Sequence, residues 1–150
     1  MTIKHTLNEQ LAMGYAAGVL PEAFDVVIAA HLSLSDESRA IVSSYEAVGA
    51  CLMENCERAD MNPGALSSTM DRIKNSNMIV HRKKNENVLP EPVQKYFGGD
   101  IEKVKWTSLG GGVKQAVLPT DKKAQARLLY IPAGQSVPDH GHRGLELTLV

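Results

Sequence analysis

The periodicity of apolar residues changes once along this chain, and that change limits what it can fold into. Up to Ile73 the apolar residues recur at intervals of three and four, the spacing of one helical face. From Val104 onward they gather instead in short runs of β-favouring residues, VKWTSL, VKQAVL, ARLLYI and LELTLV, separated by GGG, PTDKK and PAGQSVPDHGHRG. Between these regions NMIVHRKKNENVLPEP loses periodicity and collects charge, asparagine and proline, as interdomain linkers do. Helices followed by antiparallel strands predict an α+β chain in two domains rather than one mixed sheet. The predicted boundaries are 1–75 for a small helical bundle, 76–92 for the linker and 93–150 for the β domain. With 150 residues the chain can bury a real core but not several.

Four helices are predicted in the first half. Thr6 and Glu9 form a capping box before LNEQLAMGYAAG, where Leu7, Leu11 and Tyr15 recur at helical spacing and Gly18 offers a stop. A second helix begins near Pro21 and carries Phe24, Val27, Ile28 and His31 along one side. A third runs from about Asp36 through RAIVSSYEAVGACLMENC, with Ile41, Tyr45, Val48 and Leu52 on its apolar side. The fourth, ALSSTMDRIKN, is capped by Asn62 and Pro63 and has a narrow apolar face of Leu66, Met70 and Ile73. A face of that kind often packs on a partner rather than on its own domain, which makes those three residues candidate partner contacts.

Composition excludes several classes. No apolar run approaches the roughly 20 residues that cross a bilayer, and LAMGYAAGVL, with its glycines and without a cationic lead, is no signal peptide. A soluble, cytoplasmic protein is the default expectation. Cys51 and Cys56 lie five apart in the third predicted helix, about 140° around its axis, which disfavours a bridge and suits small buried residues. The net charge of −1 conceals an asymmetry: residues 1–75 hold ten acidic and five basic side chains, whereas residues 76–150 hold seven acidic and eleven basic. The acidic half argues against direct nucleic-acid binding and suits a basic protein partner, although a merely solvated surface explains the charge equally well.

Two segments carry metal-ligand spacing. In GQSVPDHGHRGLE, His140 and His142 are two apart in an extended stretch and point the same way, and Glu146 can complete one side of a metal shell. Imidazole with carboxylate suits Zn, Fe, Mn, Ni or Cu, and the plainer alternative is a pair of surface histidines in a polar turn. In HLSLSDES, His31, Ser35 and Ser38 have the spacing of the zinc motif H-x3-C-x2-C, with serine at each cysteine position. A histidine favoured by the dipole at an ordinary helix end is the competing reading there.

The first of these strings resembles the opening half of the first cupin motif, G-x5-H-x-H-x3-E, which implies that residues 93–150 begin a cupin-like antiparallel β-barrel. The motif's continuation and its later histidine are not found before Val150, so the barrel is expected to be truncated here. Taken with YAAGVLPEAF, VVIAAHLSLSDESRA and SLGGGVKQAVLP, the chain resembles the zinc-binding anti-sigma family, closely its ChrR-type members, over essentially all 150 residues. The resemblance implies a regulator whose helical domain sequesters an extracytoplasmic-function (ECF) sigma factor and whose cupin-like domain responds to singlet oxygen or related oxidants. It implies no enzyme, no direct nucleic-acid contact and no membrane association.

Carried over by position, the family's N-terminal zinc ligands fall on His5, His31, Ser35 and Ser38, and those of the cupin-like site on His140, His142 and Glu146. Zinc is the cofactor the family leads one to expect, yet a serine hydroxyl is a poor anionic ligand beside a thiolate, so the N-terminal site is expected to be empty. The alternative function is a cupin metalloenzyme, a dioxygenase or isomerase working at His140, His142 and Glu146. Such an enzyme has no need of an acidic helical domain on a linker. A DNA-binding regulator with a cupin sensor is disfavoured by the acidic first half and the lack of a basic recognition helix.

Overall fold

In the computed structural model, which describes residues 5–76, 87–136, 141 and 144–150, the first helix opens at Asn8 rather than at Thr6. The Asn8 side-chain oxygen accepts the Leu11 N–H at 2.8 Å, and Asn is the stronger N-cap of the two residue types. Helix α1 (Glu9–Ala16) ends where expected, with Gly18 at a left-handed φ of 66°. Gly14 is buried on it, and a Cβ there would stand 2.8 Å from Leu20 Cδ2, so the missing side chain lets the turn fold back on the helix.

Helix α2 (Glu22–Leu34) follows Pro21 and is apolar on more than one side. Ile28 and Leu32 pack with Ala12 of α1 and with Val42 of α3 (Asp36–Glu54), the core of the helical half. Ala23 and Val26 turn the other way, onto Leu118 and Ala126 from the strand half and onto Val93, Tyr96 and Phe97. A helix buried on two sides is the centre of its fold, and the expected single stripe of Phe24, Val27 and Ile28 understates it. Only the first half of α3 joins this core; Val48 and Leu52 are exposed, and so are Cys51 and Cys56, which corrects the expectation that the thiols are buried. Helix α4 (Ala65–Asn75) has no buried residue at all, and it opens at Gly64 without a side-chain cap rather than on Asn62 and Pro63, the Asn62 side chain accepting the Gly64 N–H in the turn before it.

The expected linker is only partly one. Residues 77–86 lie outside the described ones. Past them the chain is tethered, for the N–H groups of Val88 and Leu89 both donate to the Asp100 carboxylate, at 2.8 and 2.7 Å, and Leu89 is buried with Val104 and Ala116. A helix that periodicity did not reveal, α5 (Glu91–Phe97), starts after Pro90 and stops at Gly98, where φ is 70°. Its two turns are too short to display a helical period, and prolines at such a start are favourable rather than disruptive.

A 3-10 turn (Ile101–Lys103) leads into strands β1 (Thr107–Gly110), β2 (Val113–Val117) and β3 (Arg127–Tyr130), an antiparallel sheet in the order β1-β2-β3. Gly110, Gly111 and Gly112 all take positive φ and turn β1 into β2, as GGG suggests. Lys114 faces Tyr130, and Ala116 faces Leu128 with its side chain on the core. The run LELTLV is not a strand: residues 144–150 are irregular, and Leu147 packs on the helical core instead. The chain is thus α+β, with an antiparallel sheet of three strands.

Candidate functional site

The last turn of α2 and the first turn of α3 meet at a cluster of donors and acceptors centred on Ser38, which is fully buried. Ser35 is the N-cap of α3, its hydroxyl accepting the Ser38 N–H at 3.2 Å, the role for which serine is suited at that position. The same hydroxyl donates to Ser38 Oγ at 3.1 Å. The Leu7 N–H, from the segment before α1, also reaches Ser38 Oγ, at 3.3 Å. His31 Nε2 lies 2.8 Å from that oxygen. A hydroxyl accepts twice and donates once, so one buried oxygen can serve all three neighbours, its role toward the His31 ring being set by the imidazole tautomer.

Arg39 closes the outside of the junction by donating to the Leu32 carbonyl at the end of α2 and to the Asp36 carboxylate. The structure therefore brings together His31, Ser35 and Ser38 as their spacing suggests. His5 is exposed, two residues from the Leu7 amide that joins the cluster. Tested for zinc, the donor set does not fit: two neutral hydroxyls already engaged with each other stand where a closed site needs two thiolates. Among the described residues no group of three or more His, Cys, Asp or Glu side chains is arranged to hold a metal ion. His140 and His142 lie outside those residues, and Glu146 sits in the irregular C-terminal segment beside Leu147.

A second feature is the bare face of α4. Leu66, Met70 and Ile73 share one side of the helix and are 74%, 44% and 61% exposed. Met61 before it, and Val48 and Leu52 on the second half of α3, are exposed as well. Apolar residues aligned on an unburied helix leave a face that another molecule can cover. Among the described residues no helix is long and apolar enough to cross a membrane.

A third feature has no sequence motif. Glu22, in the first turn of α2, accepts the Tyr96 hydroxyl at 2.9 Å and the Asp121 N–H at 2.7 Å, which joins α2 to α5 and to the turn after β2. Asp25, one turn on, has a buried oxygen without a hydrogen-bond partner among the described residues. Burial raises its carboxyl above the ordinary carboxylate range, and the charges of Asp121 and Glu22 raise it further. Contacts across 74 and 99 residues leave no local signal.

No protein-family model matches the chain. It is 48% identical over 151 aligned positions to the anti-sigma-E factor ChrR of Cereibacter sphaeroides, an alignment that takes in 100% of this chain and 71% of that protein. Its fold matches the ChrR chain in a crystal structure of Rhodobacter sphaeroides SigE in complex with the anti-sigma ChrR, with a TM-score of 0.76 and 46% identity, covering 96% of this chain and 78% of that one.

Proposed function

The chain belongs to the ChrR family of anti-sigma factors, and from that premise we propose that it sequesters an ECF sigma factor through its helical half. It is a regulatory protein and not an enzyme, so the metalloenzyme alternative is set aside. The observation that carries the reading is the match over nearly the whole chain to ChrR in its complex with SigE. The bare face of Leu66, Met70 and Ile73 supports the location of the contact, since a helix that buries nothing in its own chain is stabilised by a partner. Binding is tested by co-purification and titration of the full chain with sigma factors from its source cell. A one-to-one complex is expected, and failure to bind any of them overturns the reading.

The C-terminal half is read as belonging to a cupin-like sensor. Support comes from the three-stranded antiparallel sheet and from the G-x5-H-x-H-x3-E string. Its metal ligands would be His140, His142 and Glu146, and its stimulus singlet oxygen or a related oxidant. The division at 1–75, 76–92 and 93–150 belongs to this reading, as does a cytoplasmic location. The N-terminal junction, by contrast, works without zinc, because Ser35 and Ser38 hold His31 and the Leu7 amide by hydrogen bonds in place of metal bonds. Exposing the bound complex to photosensitised singlet oxygen tests the sensing: release of the sigma factor is expected, and its retention overturns that part.

A further inference from the structure

We propose that Glu22 is a latch through which the strand half of the chain acts on the helical half, holding the N-terminal end of α2 to Tyr96 and Asp121. Its two carboxylate oxygens are divided between two separate pieces of the chain beyond α2. One accepts the Tyr96 hydroxyl of α5 at 2.9 Å, and the other accepts the backbone N–H of Asp121 at 2.7 Å. Beneath these bonds Ala23 and Val26 pack on Leu118 and Ala126, so that the seam is apolar underneath and charged on top. Charged acceptors give hydrogen bonds stronger and more directional than neutral ones, which fixes the angle at which α2 meets the strand half.

The seam is poised rather than locked. Asp25 sits beside it with an oxygen that has no hydrogen-bond partner among the described residues, close to the charges of Asp121 and Glu22. Closing it therefore brings carboxylates together, and only the latch and the apolar contacts oppose that repulsion. At its other end the same helix carries Ile28 and Leu32 in the helical core and His31 on Ser38. A rigid helix of 13 residues transmits a rotation at Glu22 to that end, which is how a signal from the strand half reaches the partner-binding helices. This inference rests on the proposed sensing role of the C-terminal half.

The test uses the full chain with Tyr96→Phe, which removes one hydroxyl and keeps the ring in its cluster, and with Glu22→Gln, which preserves size and loses an acceptor. Amide exchange, sigma-factor affinity and release under photosensitised singlet oxygen are measured on each. Exchange at Asp121 and in the first turn of α2 is expected to accelerate about fivefold or more. Affinity should stay within about twofold while oxidant-driven release slows about fivefold or more, a split that simple loss of stability does not produce. Unchanged exchange, or faster exchange with release unaltered, overturns the latch. If the unsubstituted chain binds no sigma factor or does not release it, the functional reading fails instead, and protection at Asp121 still decides whether Glu22 holds the seam.

Discussion

His31 and Ser38, on consecutive helices, meet at 2.8 Å between Nε2 and Oγ, and around that contact the first three helices are joined. The oxygen also receives Ser35 and the Leu7 amide, so one buried hydroxyl ties the segment before α1 to the ends of α2 and α3. A tetrahedral metal would tie the same pieces. Hydrogen bonds do so with less energy but with no dependence on metal supply or on thiol oxidation.

Chelation is therefore expected to leave amide protection at the His31–Ser38 junction and the sigma affinity of this chain unchanged. Ser38→Ala strands His31 Nε2, the Ser35 hydroxyl and the Leu7 N–H at once and should cost about 1–3 kcal/mol in denaturant unfolding. Ser35→Cys with Ser38→Cys should instead recruit about one zinc per chain, provided that His5 turns inward to complete the shell. Tightly bound zinc in the serine form, or none in the double-cysteine form, refutes the metal-free junction.

The α4 face gives a test of different character, because its residues carry no load in the free chain. Leu66→Asp with Ile73→Asp is expected to leave the melting temperature within about 2 °C and to weaken sigma binding by about 100-fold or more, as losing two central anchors does. Binding that survives both changes places the contact elsewhere.

Much of this architecture was legible in the sequence, and the misses have physical causes. Gly18, Pro21 and the GGG turn act through local backbone geometry, which needs no partner, and each stands where expected. Periodicity identified the apolar side of α4 but could not say that Val48, Leu52 and the two cysteines of α3 stay exposed, since burial depends on what arrives from elsewhere. The run LELTLV alternates as a strand does, yet it finds no strand to pair with among the described residues, and Leu147 settles on the helices. Spacing brought His31, Ser35 and Ser38 into view, whereas Glu22 and Asp100 act across long separations that no local pattern encodes.

For the C-terminal motif, the metal content of the longest available form of the protein is the measurement. On the proposed reading of that motif, His140→Ala with His142→Ala should remove the metal bound there, because loss of two imidazoles leaves too few ligands for any of the divalent ions that the set suits. Metal content that does not change assigns the ligands to other residues.

The pH dependence of stability should show two carboxylates working in opposite senses. Asp100 is pushed up by burial, but the N–H groups of Leu89, Val88 and Ile101 outweigh that and leave it below the ordinary carboxylate value. A lowered group stabilises the fold above its unfolded value, and this contribution is lost as pH falls through the folded one, so Asp100→Asn should flatten the acid limb. Asp25 is raised, first by burial and then by Asp121 and Glu22. A raised carboxyl binds its proton more tightly in the folded chain, so its favourable contribution is complete below the unfolded value and disappears as pH rises through the folded one. The Asp25 contribution thus falls as pH rises through its folded value, opposite in sense to that of Asp100. Asp25→Asn, which keeps the shape and supplies an N–H donor beside two carboxylates, should raise the melting temperature at neutral pH and move the optimum upward. An optimum that stays where it was would show that Asp25 does not carry the charge strain of the seam.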